Sequence, residues 1–107
     1  MPTRDEVRKL FTMLDEMKDE SLREKVVDVW TDAMNEGGWE IKDLADIPFT
    51  LLIQTDVNLL DHTVGVTKVA MAIGDTLDET YGGKIPINRD YIIAGGILHD
   101  VGKLVEY

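Results

Sequence analysis

Hydrophobic residues recur along the chain in blocks with helical spacing. Val7, Leu10, Phe11, Leu14 and Met17 stand three or four residues apart, the arrangement that puts apolar side chains on one face of a helix. Thr3-Arg-Asp-Glu6 precedes them and reads as a capping box, in which the Thr hydroxyl and the Glu carboxylate each take a free backbone N–H. The pattern predicts one helix running through Met17. Ser21-Leu-Arg-Glu24 repeats the device ahead of a stripe of Leu22, Val26, Val29, Trp30 and Ala33, and Asn35-Glu-Gly-Gly38 stops the run. Two amphipathic helices with so short a connection predict an antiparallel hairpin.

From Trp39 to Asp56 the pattern is irregular, with one short helical turn expected over Glu40 to Ala45 before Pro48. A long helix is expected next, from about Asn58 to Leu77 or a little beyond. On it Val66, Val69, Ile73 and Leu77 share a face with His62, and that face reads as the buried one. Tyr81-Gly-Gly-Lys-Ile-Pro-Ile is a loop, and Asn88 is the N-cap of a last helix through Tyr91, Ile92, Ile93 and Leu98. Gly95 and Gly96 sit inside that helix, where each costs about 1 kcal/mol relative to Ala. The close approach of another helix backbone is the natural compensation.

The elements predict an all-α helical bundle. Its 107 residues suit a single domain, in which about 65% of the unfolded chain's surface is buried. Within it, residues 1–57 supply amino-terminal helices and a connector, and residues 58–107 the remainder. A hydrophobic fraction of 44% beside 30% charged residues places the chain among ordinary globular proteins.

A formal net charge of −10 repels phosphate backbones and anionic bilayers. Duplex nucleic acid and membrane surfaces are therefore not expected partners. Cysteine is absent, which excludes disulfides and thiolate metal sites. No apolar run approaches the ~18 residues of a transmembrane helix and no signal-peptide core is visible, so a cytoplasmic location is expected.

The chemistry concentrates at two histidines. If the two late helices pack antiparallel, His62 at the start of one lies near His99 at the end of the other. The rise of a helix leaves an offset of about 13 Å between the two paths. Seven loop residues, which reach up to roughly 24 Å, can absorb it. Two imidazoles with the Asp100 carboxylate suit a divalent transition metal, Mn, Fe, Co, Ni or Zn, with Mg as the alternative. Three ligands leave positions open for water and a substrate oxygen.

His99 and Asp100 point about 100° apart on a regular helix and converge only at its end, where Gly102 is the expected stop. Lys103 reads either as a point charge for a phosphate oxygen or as a favourable charge near a helix end. Asp56, Asp61 and Asp75 are weaker ligand candidates, by position before the helix, by direction and by distance along it respectively.

His62 followed by His99-Asp100-Val-Gly-Lys103 resembles the start of the HD-domain metal-dependent phosphohydrolase superfamily. The resemblance covers Asn58 to Tyr107. It implies hydrolysis of a phosphate mono- or diester, often a nucleotide, with His62, His99 and Asp100 as metal ligands, Asp100 in the catalytic centre and Lys103 as a substrate contact. In the family a further aspartate ligand follows tens of residues after the doublet, whereas here the sequence stops at Tyr107. The expectation is a part of a longer protein, with an incomplete site and little activity on its own. An apolar face left without partners would then favour a homodimer. The alternative is an inactive regulatory or dimerisation module of the same ancestry.

Overall fold

The computed structural model describes residues 1–107, which form five helices and two 3₁₀ turns and no strand. Helix α1 (Arg4–Arg8) begins with the expected capping box: Glu6 donates its N–H to Thr3 Oγ1 at 3.2 Å, and Glu6 Oε1 accepts from the Thr3 N–H at 3.1 Å. The single helix expected through Met17 is broken. After Lys9 the chain turns through Phe11, with φ −123° and ψ 83°, into a 3₁₀ turn, Thr12–Glu16. The break sets Phe11 edge-on against Trp30, ring centroids 4.9 Å apart. It also buries both Met13 and Leu14, neighbours that a continuous helix would point about 100° apart.

Helix α2 (Glu20–Gly37) starts earlier than expected. Its N-cap is Asp19, accepting from Leu22 N–H at 3.0 Å, and not Ser21. The cause lies 71 residues away: the Asp90 carboxylate takes the N–H of Asp19 at 2.7 Å and that of Lys18 at 3.0 Å, fixing the chain where it enters the helix. These two N–H donors hold the Asp90 carboxyl below its usual value. α2 ends at Gly38, whose φ of 76° is the left-handed conformation glycine adopts without strain. Val26, Val27, Trp30, Thr31 and Met34 are buried, while Val29 is exposed. Arg4 pairs with Asp28 and Glu24, and Arg8 with Glu24, so α1 and α2 run antiparallel as expected.

A second 3₁₀ turn, Ile41–Asp46, occupies the place where a helical turn was expected. Asn58 then caps α3 (Leu59–Thr80). The buried face of α3 is not the aliphatic one. Leu59, Thr63, Thr67, Met71 and Gly74 face inward, whereas Val66, Val69, Ile73 and Leu77 are exposed.

The reason is close helix packing. A Cβ added to Gly96 of α4 (Arg89–Leu98) would lie 2.9 Å from Thr67 Cα, and one added to Gly74 would lie 2.6 Å from Ile92 Cδ1. Two backbones this near admit only small side chains between them, and branched aliphatics are turned outward. Gly95 has no such neighbour.

α4 is capped by Asn88, as expected, and is antiparallel to α3. Arg89 pairs with Asp75, Gly96 meets Thr67, and His99 meets His62. α3 runs on past Asp75 to Thr80, and the intervening residues bring the chain back, which absorbs the expected offset. Trp30 Nε1 donates to the Ile97 carbonyl at 2.7 Å and Trp39 Nε1 to the Leu104 carbonyl at 2.7 Å. These bonds anchor α4 and α5 (Lys103–Glu106) on the amino-terminal half.

One hydrophobic cluster joins Val7, Trp30, Leu59, Ile93 and Leu104. No helix is long and apolar enough to cross a membrane.

Candidate metal centre

Helix α3 presents His62 as its fourth residue, at the close of its first turn, where the Asn58 cap has fixed the backbone: Asp61 N–H bonds Asn58 Oδ1 at 2.7 Å. Helix α4 ends at Leu98, with His99 as its C-cap. The chain continues in turns, Val101 N–H to Leu98 O at 3.2 Å and Lys103 N–H to Asp100 O at 3.1 Å. The chain thus leaves the regular helix at this point, and His99 and Asp100 turn their donor atoms toward the same place, 3.1 Å apart. Gly102 is not the left-handed stop expected of it. Its φ is −59°, and it leads into α5.

The three side chains meet. His62 Nε2 lies 3.3 Å from His99 Nε2 and 3.1 Å from Asp100 Oδ2, and His99 Nε2 also lies 3.1 Å from Asp100 Oδ2. Three ligands at the usual ~2.1 Å from an ion have donor atoms about 3.0 Å apart in octahedral and about 3.4 Å apart in tetrahedral geometry. The observed triangle falls between these values, so the donors fit one divalent ion held from one side.

His99 Nδ1 donates to the Gly96 carbonyl at 2.6 Å. That bond fixes the tautomer that leaves Nε2 with its lone pair facing the other two donors, as second-layer carbonyls do for metal-bound imidazoles.

Side-chain exposures of 24% for His62, 32% for His99 and 20% for Asp100 leave the donors within reach of a small molecule. No further histidine or carboxylate joins the group. Asp61 belongs to the α3 cap, Asp75 is paired with Arg89, and Asp56 stands outside the cluster. Lys103 Nζ lies 3.8 Å from Asp100 Oδ2 and donates to the Phe49 carbonyl. Its ammonium is therefore at the edge of the group, though already engaged.

Sequence reasoning missed Phe49. Its ring stacks on that of His62, centroids 4.6 Å apart and planes 20° from parallel. It stands in the irregular connector, where no periodicity marks it.

Comparison with known proteins bears on the segment that carries these residues. The family model of the HD domain matches residues 59–107. The dihydroneopterin 2',3'-cyclic phosphate phosphodiesterase of Methanocaldococcus jannaschii is 35% identical over 107 residues, covering 94% of this chain and 42% of that protein. The chain thus spans less than half the length of this curated relative. No solved structure matches it.

Proposed function

Because residues 59–107 belong to the HD domain family, we propose that this chain carries the metal-binding corner of a phosphohydrolase acting on a small phosphate ester. The observation that carries the reading is the triangle of His62, His99 and Asp100 donors, 3.1 to 3.3 Å on a side. His62, His99 and Asp100 would hold a divalent ion, which when bound would supply a water of lowered pKa and polarise a phosphoryl oxygen.

The protein's own part is to orient and to neutralise. His99, locked by the Gly96 carbonyl, and His62, held by the α3 cap, present neutral nitrogens. Asp100 supplies the one negative charge and is the catalytic carboxylate of the set. Lys103 is within a small rearrangement of a phosphate oxygen beside Asp100, where its ammonium offsets substrate charge against a chain of net −10.

The relative's printed activity suggests a cyclic phosphodiester as the first substrate class to try, and a nucleotide as the second. Mn, Fe, Co, Ni and Zn suit the donors better than Mg does. The resemblance also implies a further aspartate ligand that the group of three lacks, so turnover by these residues alone is proposed to be weak.

The test is hydrolysis of bis(p-nitrophenyl) phosphate and of a 2',3'-cyclic nucleotide by protein loaded with Mn²⁺ or Co²⁺. Metal-dependent release that disappears in Asp100→Ala supports the reading. Unchanged release in that variant rejects it.

A second reading rests on the exposed aliphatic stripe of α3, in which Val69 is 60% and Ile73 56% exposed. It is an inactive helical module that pairs with a second copy of this chain through that face. A concentration-dependent dimer, dissociated by Ile73→Glu and lacking hydrolysis with every divalent ion, would favour it.

A further inference from the structure

His62 and His99 are held in different ways. The His99 ring is fixed by a hydrogen bond from its second nitrogen to the Gly96 carbonyl. His62 makes no such bond, and its ring contacts are with His99, Asp100 and Phe49. What faces the plane of its ring is Phe49, stacked at 4.6 Å and 20°.

Phe49 is itself pinned. Its N–H donates to the Val57 carbonyl at 3.3 Å, its carbonyl accepts from Lys103 Nζ, and its neighbour Pro48 forms a bridge with Asn58, the cap of α3. Leu59 N–H donates to the Ile47 carbonyl at 2.7 Å, closing the base of the same loop. The connector thus leaves the buried Ile47, places one aromatic ring on His62, and returns to the helix that carries His62. One residue touches both ends of the motif, its ring at His62 and its carbonyl at Lys103.

Phe49 lies outside the segment that matches the HD domain, so nothing in that match assigns it a part in the site. We propose that Phe49 is a positioning residue of the metal centre: its ring sets the plane of His62, and the connector 47–58 thereby forms the second layer of the site. This rests on the metal-centre reading. A histidine ring free to rotate about its χ2 bond must lose that freedom on binding an ion, and a stacked aromatic surface removes it beforehand.

Phe49→Leu keeps apolar volume at the half-buried position and removes the flat face, and Phe49→Tyr keeps the face. In metal-free wild-type protein, the His62 ring protons should resonate upfield of those of His99 in the NMR spectrum, under the ring current of Phe49. Phe49→Leu should move only the His62 signals downfield and weaken Co²⁺ binding, measured by calorimetry, about 2- to 10-fold. Phe49→Tyr should restore both.

A His62 signal without upfield displacement in the wild type overturns the proposal even if Phe49→Leu does not fold. So does unchanged Co²⁺ affinity in a folded Phe49→Leu protein. A wild-type protein that binds no Co²⁺ while retaining the displaced His62 signal overturns instead the metal-centre reading beneath it.

Discussion

Gly96 rests on Thr67 so closely that a Cβ at the glycine would stand 2.5 Å from Thr67 Oγ1 and 2.9 Å from Thr67 Cα. The contact sets the separation of α3 and α4, and the two histidines ride on those helices. Gly96→Ala must push α4 away or bend it, which overpacks a tight contact at a cost of about 1–3 kcal/mol and widens the donor triangle. Loss of metal binding together with a lowered melting temperature is the expected result. Gly95→Ala should do the opposite, since nothing lies within 4 Å of a Cβ there and helix propensity favours Ala by up to about 1 kcal/mol. Melting curves of both variants, with Co²⁺ titration, check the pair.

His99→Ala removes one of three donors and should abolish retention of a divalent ion through desalting, while His99→Gln keeps only a weak oxygen ligand and should retain little. The fold should survive both, because His99 is partly exposed and outside the hydrophobic cluster. Metal content by elemental analysis beside far-UV circular dichroism is the measurement.

Asp90 gives the acid limb of stability a structural source. The N–H groups of Asp19 and Lys18 hold its carboxyl below the ordinary value in the folded protein. A group with a depressed folded pKa stabilises above its unfolded pKa, about 3.9, and loses that contribution as pH falls through the folded value. Asp90→Asn should therefore be less stable than wild type at pH 7, and the gap should close below about pH 4. Urea midpoints from pH 7 to pH 2.5 test it; a gap that persists at the lowest pH would contradict it.

Thr63 Oγ1 is buried without a hydrogen-bond partner. Thr63→Val keeps the branched shape and removes the unpaired hydroxyl, so it should be neutral or stabilising by roughly 1 kcal/mol. A clear loss of stability in thermal melts would show that the hydroxyl has a partner after all.

Much of this was legible along the chain. Side chains that satisfy their own backbone mark their positions locally, so Thr3 and Asn88 are legible as caps. His62, His99 and Asp100 stand out in the sequence as candidate ligands because few residue types bind transition metals, and the fold brings the three together. The glycine at 96 announced a close helix contact without naming its partner.

Tertiary structure decided the rest. Helical periodicity reports how residues are spaced on a helix but not which stripe meets a neighbour. On α3 the hydrophobic stripe of Val66, Val69, Ile73 and Leu77 lost to Thr63, Thr67 and Gly74, because α4 comes too near for branched chains. The first helix broke, although its own periodicity was sound, because Phe11 packs on Trp30, nineteen positions away. Asp19 displaced Ser21 as a cap because Asp90 reaches back to its N–H. Phe49 became part of the site only when the chain folded, since stacking on His62 depends on where a loop closes and leaves no mark on the local pattern. The sequence by itself determined which groups could bind and where α1, α3 and α4 begin; the packing of one backbone against another determined which faces are buried and which groups meet.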